Sequence, residues 1–423
     1  MMPPLVGLRR WTAVPRQIVR SFNGRSNLPV HELVKSKVET PHARTRPLPS
    51  ASGTVQFSAW RLAHAVKKAD CLRLPTAAAL WAGASGFLLE NSNLFDWTTS
   101  EWCLNEGISD FYADFAGTGI AGRVAQGMAL LFLEDNGYAY VGRFETEWKQ
   151  RAAAQNKQWP GDKTRAPDFI AENVKKEWAL AESKGGFLSP GKNAPIKTAL
   201  KDGLNQLNGW DKFITPQPAK SFAIGTFLRE SADTSGETSF IAFVDPEPEA
   251  PENPVEFPPD AVRRANYASW LSAMGLEDAA NRLRKGEGER RRYELPILTV
   301  GARQYAVSIT SVMPLYPDFS SRQFWSDFRE WPFALFSWFR DGIDIELIGL
   351  DLQVLRTLGS SKQSSATSEL MALEPSERQD TSTYLEGGAF YGSVFSDGSL
   401  VGELRMRRPA EAFPDFKWVE VEL

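Results

Sequence analysis

Two kinds of apolar spacing run along this chain, and their order carries more information than either kind alone. Over residues 119–134, Ile120, Val124, Met128 and Leu131 recur at helical spacing, which predicts a helix with one buried face. Residues 138–144 form a short apolar run after Asn136-Gly137 and read as a strand. Residues 147–157 read as a polar helix, and residues 167–172 and 178–184 as two further extended runs. Ile196, Leu200, Leu204 and Leu207 then line one face of a helix over 195–210, followed by strands at 220–229 and 239–244. With the polar insert set aside, the order is helix, three strands, helix, two strands. This predicts an α/β domain over 117–245, a mixed central sheet flanked by helices.

The flanks read differently. Residues 1–52 are basic and punctuated by Pro and Ser, which predicts an arm with one short helix near 30–37; residues 53–116 predict a mostly helical lead-in. The stretch DPEPEAPENPVEFPPD at 245–260 holds six prolines, six acids and no basic residue, so it propagates neither helix nor ladder and reads over 246–260 as an extended linker. Beyond it, a helical 261–285, strands within 295–311 and an aromatic-rich 323–340 precede a Ser/Thr-rich mobile loop at 359–382. A hairpin follows, with arms 388–394 and 400–406 around Ser396-Asp397-Gly398-Ser399. These predict a separate α+β C-terminal domain over 261–423, with its aromatic run as a core or a surface for a protein partner or self-association.

Scarce residues narrow the chemistry. The chain of 423 residues has three histidines, His31, His42 and His64, and two cysteines, Cys71 and Cys103. A four-cysteine zinc site and a disulfide framework are therefore excluded, and any histidine triad would have to recruit from the first 64 residues. No run of 18 apolar residues suggests a membrane-spanning helix. The net charge of −4 confines any basic footprint to local patches. Arg9, Arg10, Arg16, Arg20 and Arg25 read as a basic arm, and two unpaired cysteines fit a reducing, cytoplasmic setting. Carboxylates, lysines and hydroxyls remain as functional groups.

Inside the α/β frame stand Pro167-Asp168 and, further on, Glu182-Ser183-Lys184. Strand side chains alternate, so Glu182 and Lys184 share one face with Trp178 and Leu180, while Ser183 faces the other way. If the Asp168 strand pairs beside this one, two carboxylates and an ammonium converge. That is an inventory for phosphodiester hydrolysis: carboxylates for a hard Mg²⁺ or Mn²⁺ ion, and a lysine to position a water.

This arrangement resembles the PD-(D/E)xK nuclease superfamily at Pro167-Asp168 and Glu182-Ser183-Lys184. The resemblance implies a restriction-endonuclease-like core, a Mg²⁺- or Mn²⁺-dependent deoxyribonuclease with DNA as partner, and a role in restriction or defence against invading DNA. It assigns Asp168 and Glu182 as metal ligands and Asp168, Glu182 and Lys184 as catalytic residues. Gln206-Leu207-Asn208-Gly209-Trp210 matches the Gln-x-x-x-Tyr helix of the RecB-type branch with Trp for Tyr, so Gln206 and Trp210 are expected to address nucleic acid, with Lys197 and Lys201 on the same helix. Gln126 stands four residues after Gly122, where some relatives carry a metal-binding His or Glu. That departure keeps a second expectation open, a catalytically inactive nuclease-like DNA-binding or assembly subunit.

Plainer readings stand beside these. Glu182 and Lys184 also suit a structural ion pair, and Lys197 and Lys201 a solvated helix face. Glu145 and Glu147 are candidate extra ligands or a solvated loop. Arg282, Arg284, Lys285, Arg290, Arg291 and Arg292 suit either phosphate binding or a solvated linker. Gly117, Gly119 and Gly122 match the dinucleotide spacing but lack a preceding apolar strand.

Overall fold

A computed structural model of the chain describes residues 25–73, 84–111, 115–161, 165–286, 289–310, 343–360, 366–385, 388–406 and 417–423. The first of two seven-stranded sheets contains β1 (Ser26–Glu32), β2 (Gly53–Phe57), β3 (Tyr140–Arg143), β4 (Phe169–Glu172), β5 (Trp178–Leu188), β6 (Lys220–Arg229) and β7 (Phe240–Val244). Their spatial order is β2-β1-β7-β6-β5-β4-β3. Strands β3, β4 and β5 form an antiparallel meander, β5 and β6 run parallel, β7 is antiparallel to β6, and β1 is parallel to β7. The sheet is therefore mixed, as the sequence predicts.

Helices α1 (Ala59–Arg73), α2 (Phe115–Asp135), α3 (Phe144–Ala154) and α4 (Ile196–Leu207) pack around it. Two parallel neighbours need a crossover, and α4 supplies the one between β5 and β6. Its buried residues Ile196, Leu200, Leu204 and Leu207 are the predicted stripe.

Residues expected to form an N-terminal arm instead contribute β1 to this sheet. In β1, Ser26, Leu28 and Val30 are buried while Asn27, Pro29 and His31 are half-buried. A period-two pattern this short is hidden by the Pro- and Arg-rich residues around it. The helix expected at 30–37 is reduced to Lys35–Glu39. The lead-in likewise supplies β2 and α1, and α1 is buried almost all round, including Arg61, His64, Lys67 and Lys68. Arg9, Arg10, Arg16 and Arg20 lie outside the described residues. Gly117, Gly119 and Gly122 sit within α2 and not at a strand-to-helix turn, so the dinucleotide geometry is not formed.

The Pro/acid stretch is irregular, as composition predicts, but docked. Val255–Glu256 pairs with Ile214–Thr215, and Asp245 accepts from Lys220 Nζ (2.5 Å) and Ser221 N (3.1 Å). After it come α5 (Ala261–Ala273) and α6 (Glu277–Lys285). The second sheet then contains β8 (Arg292–Val300), β9 (Arg303–Thr310), β10 (Ile343–Asp351), β11 (Gln379–Leu385), β12 (Gly388–Val394), β13 (Ser399–Met406) and β14 (Lys417–Glu422). Its order is β11-β12-β13-β10-β9-β8-β14, antiparallel throughout, with the predicted hairpin closed at Val394↔Leu400.

The expected loop at 359–382 is a correction. Helices Leu352–Ser360 and Ala366–Ala372 and the start of β11 occupy most of it, because Leu355, Leu358 and Leu370 are buried despite the Ser/Thr-rich surroundings. The aromatic run at 323–340 lies outside the described residues. One face of the second sheet, with Ala306, Ile348 and Val401, joins the same core as the first sheet, whereas Val307, Leu347 and Leu400 pack in a separate cluster on the other face. Among the described residues, no helix is long and apolar enough to cross a membrane.

Candidate active site

Two glycines let the elements of the site approach closely. A Cβ on Gly185 of β5 would run into the Ala125 methyl and the Ala121 carbonyl of α2, so α2 lies directly on this strand. A Cβ on Gly203 of α4 would stand 3.1 Å from Ala223 Cβ and 3.8 Å from Glu182 Cγ. The strand carrying Glu182-Ser183-Lys184 is thus clasped between α2 and α4.

The β4–β5 register pairs Phe169 with Ala181, and the backbone ladder stops there. Asp168 lies one residue beyond. Its carboxylate takes the place of the missing ladder acceptor, receiving Ser183 N (3.1 Å) and Ser183 Oγ (2.8 Å) on Oδ2. In return Asp168 N donates to Glu182 Oε2 (3.0 Å). Lys184 Nζ donates to Glu182 Oε1 (2.6 Å). Gln206 completes the pair. In the amide orientation that satisfies both its ends, it donates to Glu182 Oε1 (2.8 Å) and accepts from Lys184 Nζ. From α2, Gln126 Nε2 makes a long 3.5 Å contact with Asp168 Oδ1. Five sequence-selected residues, Gln126, Asp168, Glu182, Lys184 and Gln206, therefore meet at one end of the meander.

Alternation correctly pairs Glu182 with Lys184 but conceals Ser183. Its hydroxyl is reached because Asp168 sits past the end of β4, where its side chain can fold back into the ladder. Arg73, at the end of α1, was also missed: Nη2 stands 3.8 Å from Asp168 Oδ1. A basic residue closing a helix carries no local signal of a partner so distant in sequence.

Burial pushes Glu182 up to about 7, and the neighbouring Asp168 charge adds to the shift while Lys184 opposes it. Lys184 lies against Glu182, whereas the cation beside Asp168, Arg73, stands off at 3.8 Å and is half exposed, so Asp168 is only weakly neutralised. Hard oxygen donors in that condition fit a divalent cation such as Mg²⁺, which binds through one or two carboxylates and keeps several waters. Among the described residues, no group of three or more His, Cys, Asp or Glu side chains is arranged to hold a metal. Asp168 and Glu182 are thus the donors this site offers.

Other expected residues are placed elsewhere. Helix α4 ends at Leu207, and Gly209, at φ 71°, turns the chain so that Trp210 begins a separate turn. Trp210 is 0% exposed, its Nε1 donates to Arg165 O (2.9 Å), and its ring packs edge-on against Phe144, Trp148 and Trp159. That leaves no face for a base, so Trp210 is a core residue and not a nucleic-acid contact. Lys197 Nζ donates to the carbonyls of Thr40, Pro41 and Ala43, which makes it a tether for that loop. Lys201 is exposed on α4. Glu145 pairs with Lys149 and Arg143, and Glu147 with Arg151. In the basic patch, Arg291 pairs with Asp278 (2.5 Å), Arg292 with Glu420 (3.4 Å), and Arg284 donates to Ser272 Oγ (3.3 Å). Arg291 and Arg292 are thus held in exposed surface ion pairs.

A second polar cluster joins α1 and α5 to the turn before β13. Asp397 accepts from Lys68 Nζ (2.8 Å), Asn266 Nδ2 (2.9 Å), Trp270 Nε1 (2.9 Å), Ser399 N (3.0 Å) and Ser399 Oγ (2.5 Å). Burial opposes its ionisation, but Lys68 and the Ser399 donors outweigh burial and hold the carboxyl well below its usual range. His64 stacks on Phe395 and shares a 3.0 Å hydrogen bond with Ser399 Oγ; burial pushes its imidazole down to about 3. Comparisons with protein-family models, curated proteins and solved structures find no match to this chain.

Proposed function

We propose that this chain is a metal-dependent nuclease that hydrolyses DNA phosphodiester bonds on a restriction-endonuclease-like core of the PD-(D/E)xK type. One observation carries the reading. Asp168, Glu182 and Lys184 converge with Gln126 and Gln206, which come from the helices before and after the meander. In this reading Asp168 and Glu182 hold Mg²⁺ or Mn²⁺, which when bound supplies a Lewis acid and a water of lowered pKa. Lys184 Nζ orients the attacking water beside the scissile phosphate. Gln206 fixes the Lys184 ammonium against Glu182, and the Ser183 amide and hydroxyl fix the Asp168 carboxylate. Restriction or defence against invading DNA is the biological setting that the resemblance suggests.

The test is cleavage of duplex DNA by the purified full chain with Mg²⁺ or Mn²⁺, compared with Asp168→Ala and Lys184→Ala. Both variants should lose cleavage while keeping the wild-type circular dichroism spectrum. Cleavage that persists in both overturns the proposal.

A second reading, an inactive nuclease-like DNA-binding or assembly subunit, is favoured by a specific observation. Both carboxylates already accept protein donors, and the first-helix position holds the neutral Gln126. Calorimetric titration separates the readings: DNA binding without Mg²⁺ or Mn²⁺ affinity selects the inactive subunit.

A further inference from the structure

Asp70 and Arg73 stand three residues apart on α1, and Arg123 and Gln126 three apart on α2, so each pair shares a helix face. The helices are pressed together where a Cβ on Gly127 would collide with Val66, 2.6 Å from its Cγ2. One turn along, Arg123 Nη2 and Nε grip Asp70 Oδ2 at 2.6 and 3.1 Å, with the guanidinium 5.5 Å from the centre of the Phe87 ring. This brace fixes the last turn of α1 over the candidate site. Arg73, at that end, points its guanidinium at Asp168 Oδ1 from 3.8 Å, and its side chain is 47% exposed.

Arg123 is held on two sides and is not available to a ligand. Arg73 has a different situation: among the described residues its ion pair is with Asp168, a contact too long and too exposed to contribute much stability. It is a cation at the mouth of the site, aimed at the carboxylate that a divalent ion would claim. A metal held by Asp168 would repel the guanidinium, and the nearest anion of a bound substrate would then be the phosphate under attack. Five donors in a planar fork suit that partner.

We propose that Arg73 is a phosphate-binding residue of the substrate site, supplied by the N-terminal helix and held by Asp168 until metal and DNA arrive. The inference rests on the nuclease reading. It makes α1 part of the substrate site.

The experiment measures binding of a short fluorescein-labelled DNA duplex to the full chain by anisotropy, in a Lys184→Ala background that blocks turnover. Salt is varied, with either Mg²⁺ or EDTA present. With Mg²⁺, Arg73→Ala should weaken binding about tenfold and lower the slope of log affinity against log salt by about one. With EDTA the difference should shrink, because Asp168 then occupies the arginine. Arg73→Lys should keep the salt slope and regain part of the affinity. Calorimetric titration of Mg²⁺ alone should show tighter binding to Arg73→Ala than to the unsubstituted chain. Equal DNA affinity and equal slope with Mg²⁺, with and without the Arg73→Ala substitution, overturn the inference and leave the nuclease reading standing. If the unsubstituted chain binds no DNA, both fail together.

Discussion

Two of the molecule's lysine–carboxylate pairs, each with a buried carboxylate, are of nearly equal length, Lys184–Glu182 at 2.6 Å and Lys68–Asp397 at 2.8 Å, yet stand in opposite electrostatic condition. Asp397 is a single carboxylate surrounded by donors from α1, α5 and its own turn, and its proton affinity falls. Glu182 loses most of its water and lies beside the Asp168 charge, and its proton affinity rises despite Lys184. The first cluster is sealed, with side-chain exposures of 4% for Lys68 and 0% for Asp397. In the second, Lys184 keeps 22% of its side-chain surface and Asp168 keeps 16%. An ion pair alone does not distinguish a structural site from a functional one. A neighbouring carboxylate and an opening to solvent set apart the pair that the nuclease reading makes functional.

The strongest way to break this contrast is to mutate each cluster. In the nuclease reading, Asp168→Ala or Lys184→Ala is expected to lower the rate of DNA cleavage roughly 10⁴-fold or more, about 5 kcal/mol of transition-state stabilisation, with only a modest drop in melting temperature, because Glu182 left without Lys184 can take up a proton. Single-turnover kinetics and calorimetry check the two halves. Lys68→Ala should behave inversely, because it strands a buried Asp397 charge and costs about 3–5 kcal/mol of stability by urea denaturation. A Lys68→Ala protein as stable as wild type would remove the distinction between the clusters.

A smaller effect concerns pH. Glu182 titrates near 7 in the folded chain, above its unfolded value, so the folded state retains a proton that the unfolded state has already released. Its contribution is present below about pH 4.5 and is lost as pH rises to about 7, a change of roughly 1–3 kcal/mol. Glu182→Gln should flatten that part of the stability profile. In the nuclease reading, Mg²⁺ should stabilise the protein more at pH 8 than at pH 6, since the ion needs the ionised carboxylate. The smallest expected effect is at His64, whose imidazole shifts by NMR should stay constant between pH 5 and 8, because it titrates near 3. A titration midpoint in that range would mean that the cluster around Asp397 is open to water.

Much of the first sheet was legible. β6 spans the predicted 220–229, and the α4 stripe is buried residue for residue. Glu182 and Lys184 stand out because an acid and a base inside a strand rich in Trp, Leu and Ala need a reason to be there, and Asp168 stands out through the Pro167-Asp168 motif ahead of them. Trp210 was misread because a four-residue spacing means neighbours only while the helix lasts, and Gly209 ends it first. Lys197 was misread because the carbonyls it binds belong to residues 40–43, far away in sequence. β1 escaped because its three buried positions are too few to stand out against a basic, proline-rich background.

Most helices and strands from 117 to 245, the lack of cysteine and histidine there and the charged groups of β5 can be read along the chain alone. Periodicity and composition act over a few turns or a few strand residues, and those features live at that range. The folded arrangement adds that Ser183 and Arg73 reach Asp168, that Trp210 belongs to the core, and that an expected arm joins the sheet. Ser183 reaches Asp168 across the β4–β5 hairpin, whereas Arg73 and Asp168, Trp210 and Phe144, and β1 and β7 lie far apart in sequence and are joined by close packing at Gly127 and Gly185 and by ladder pairing.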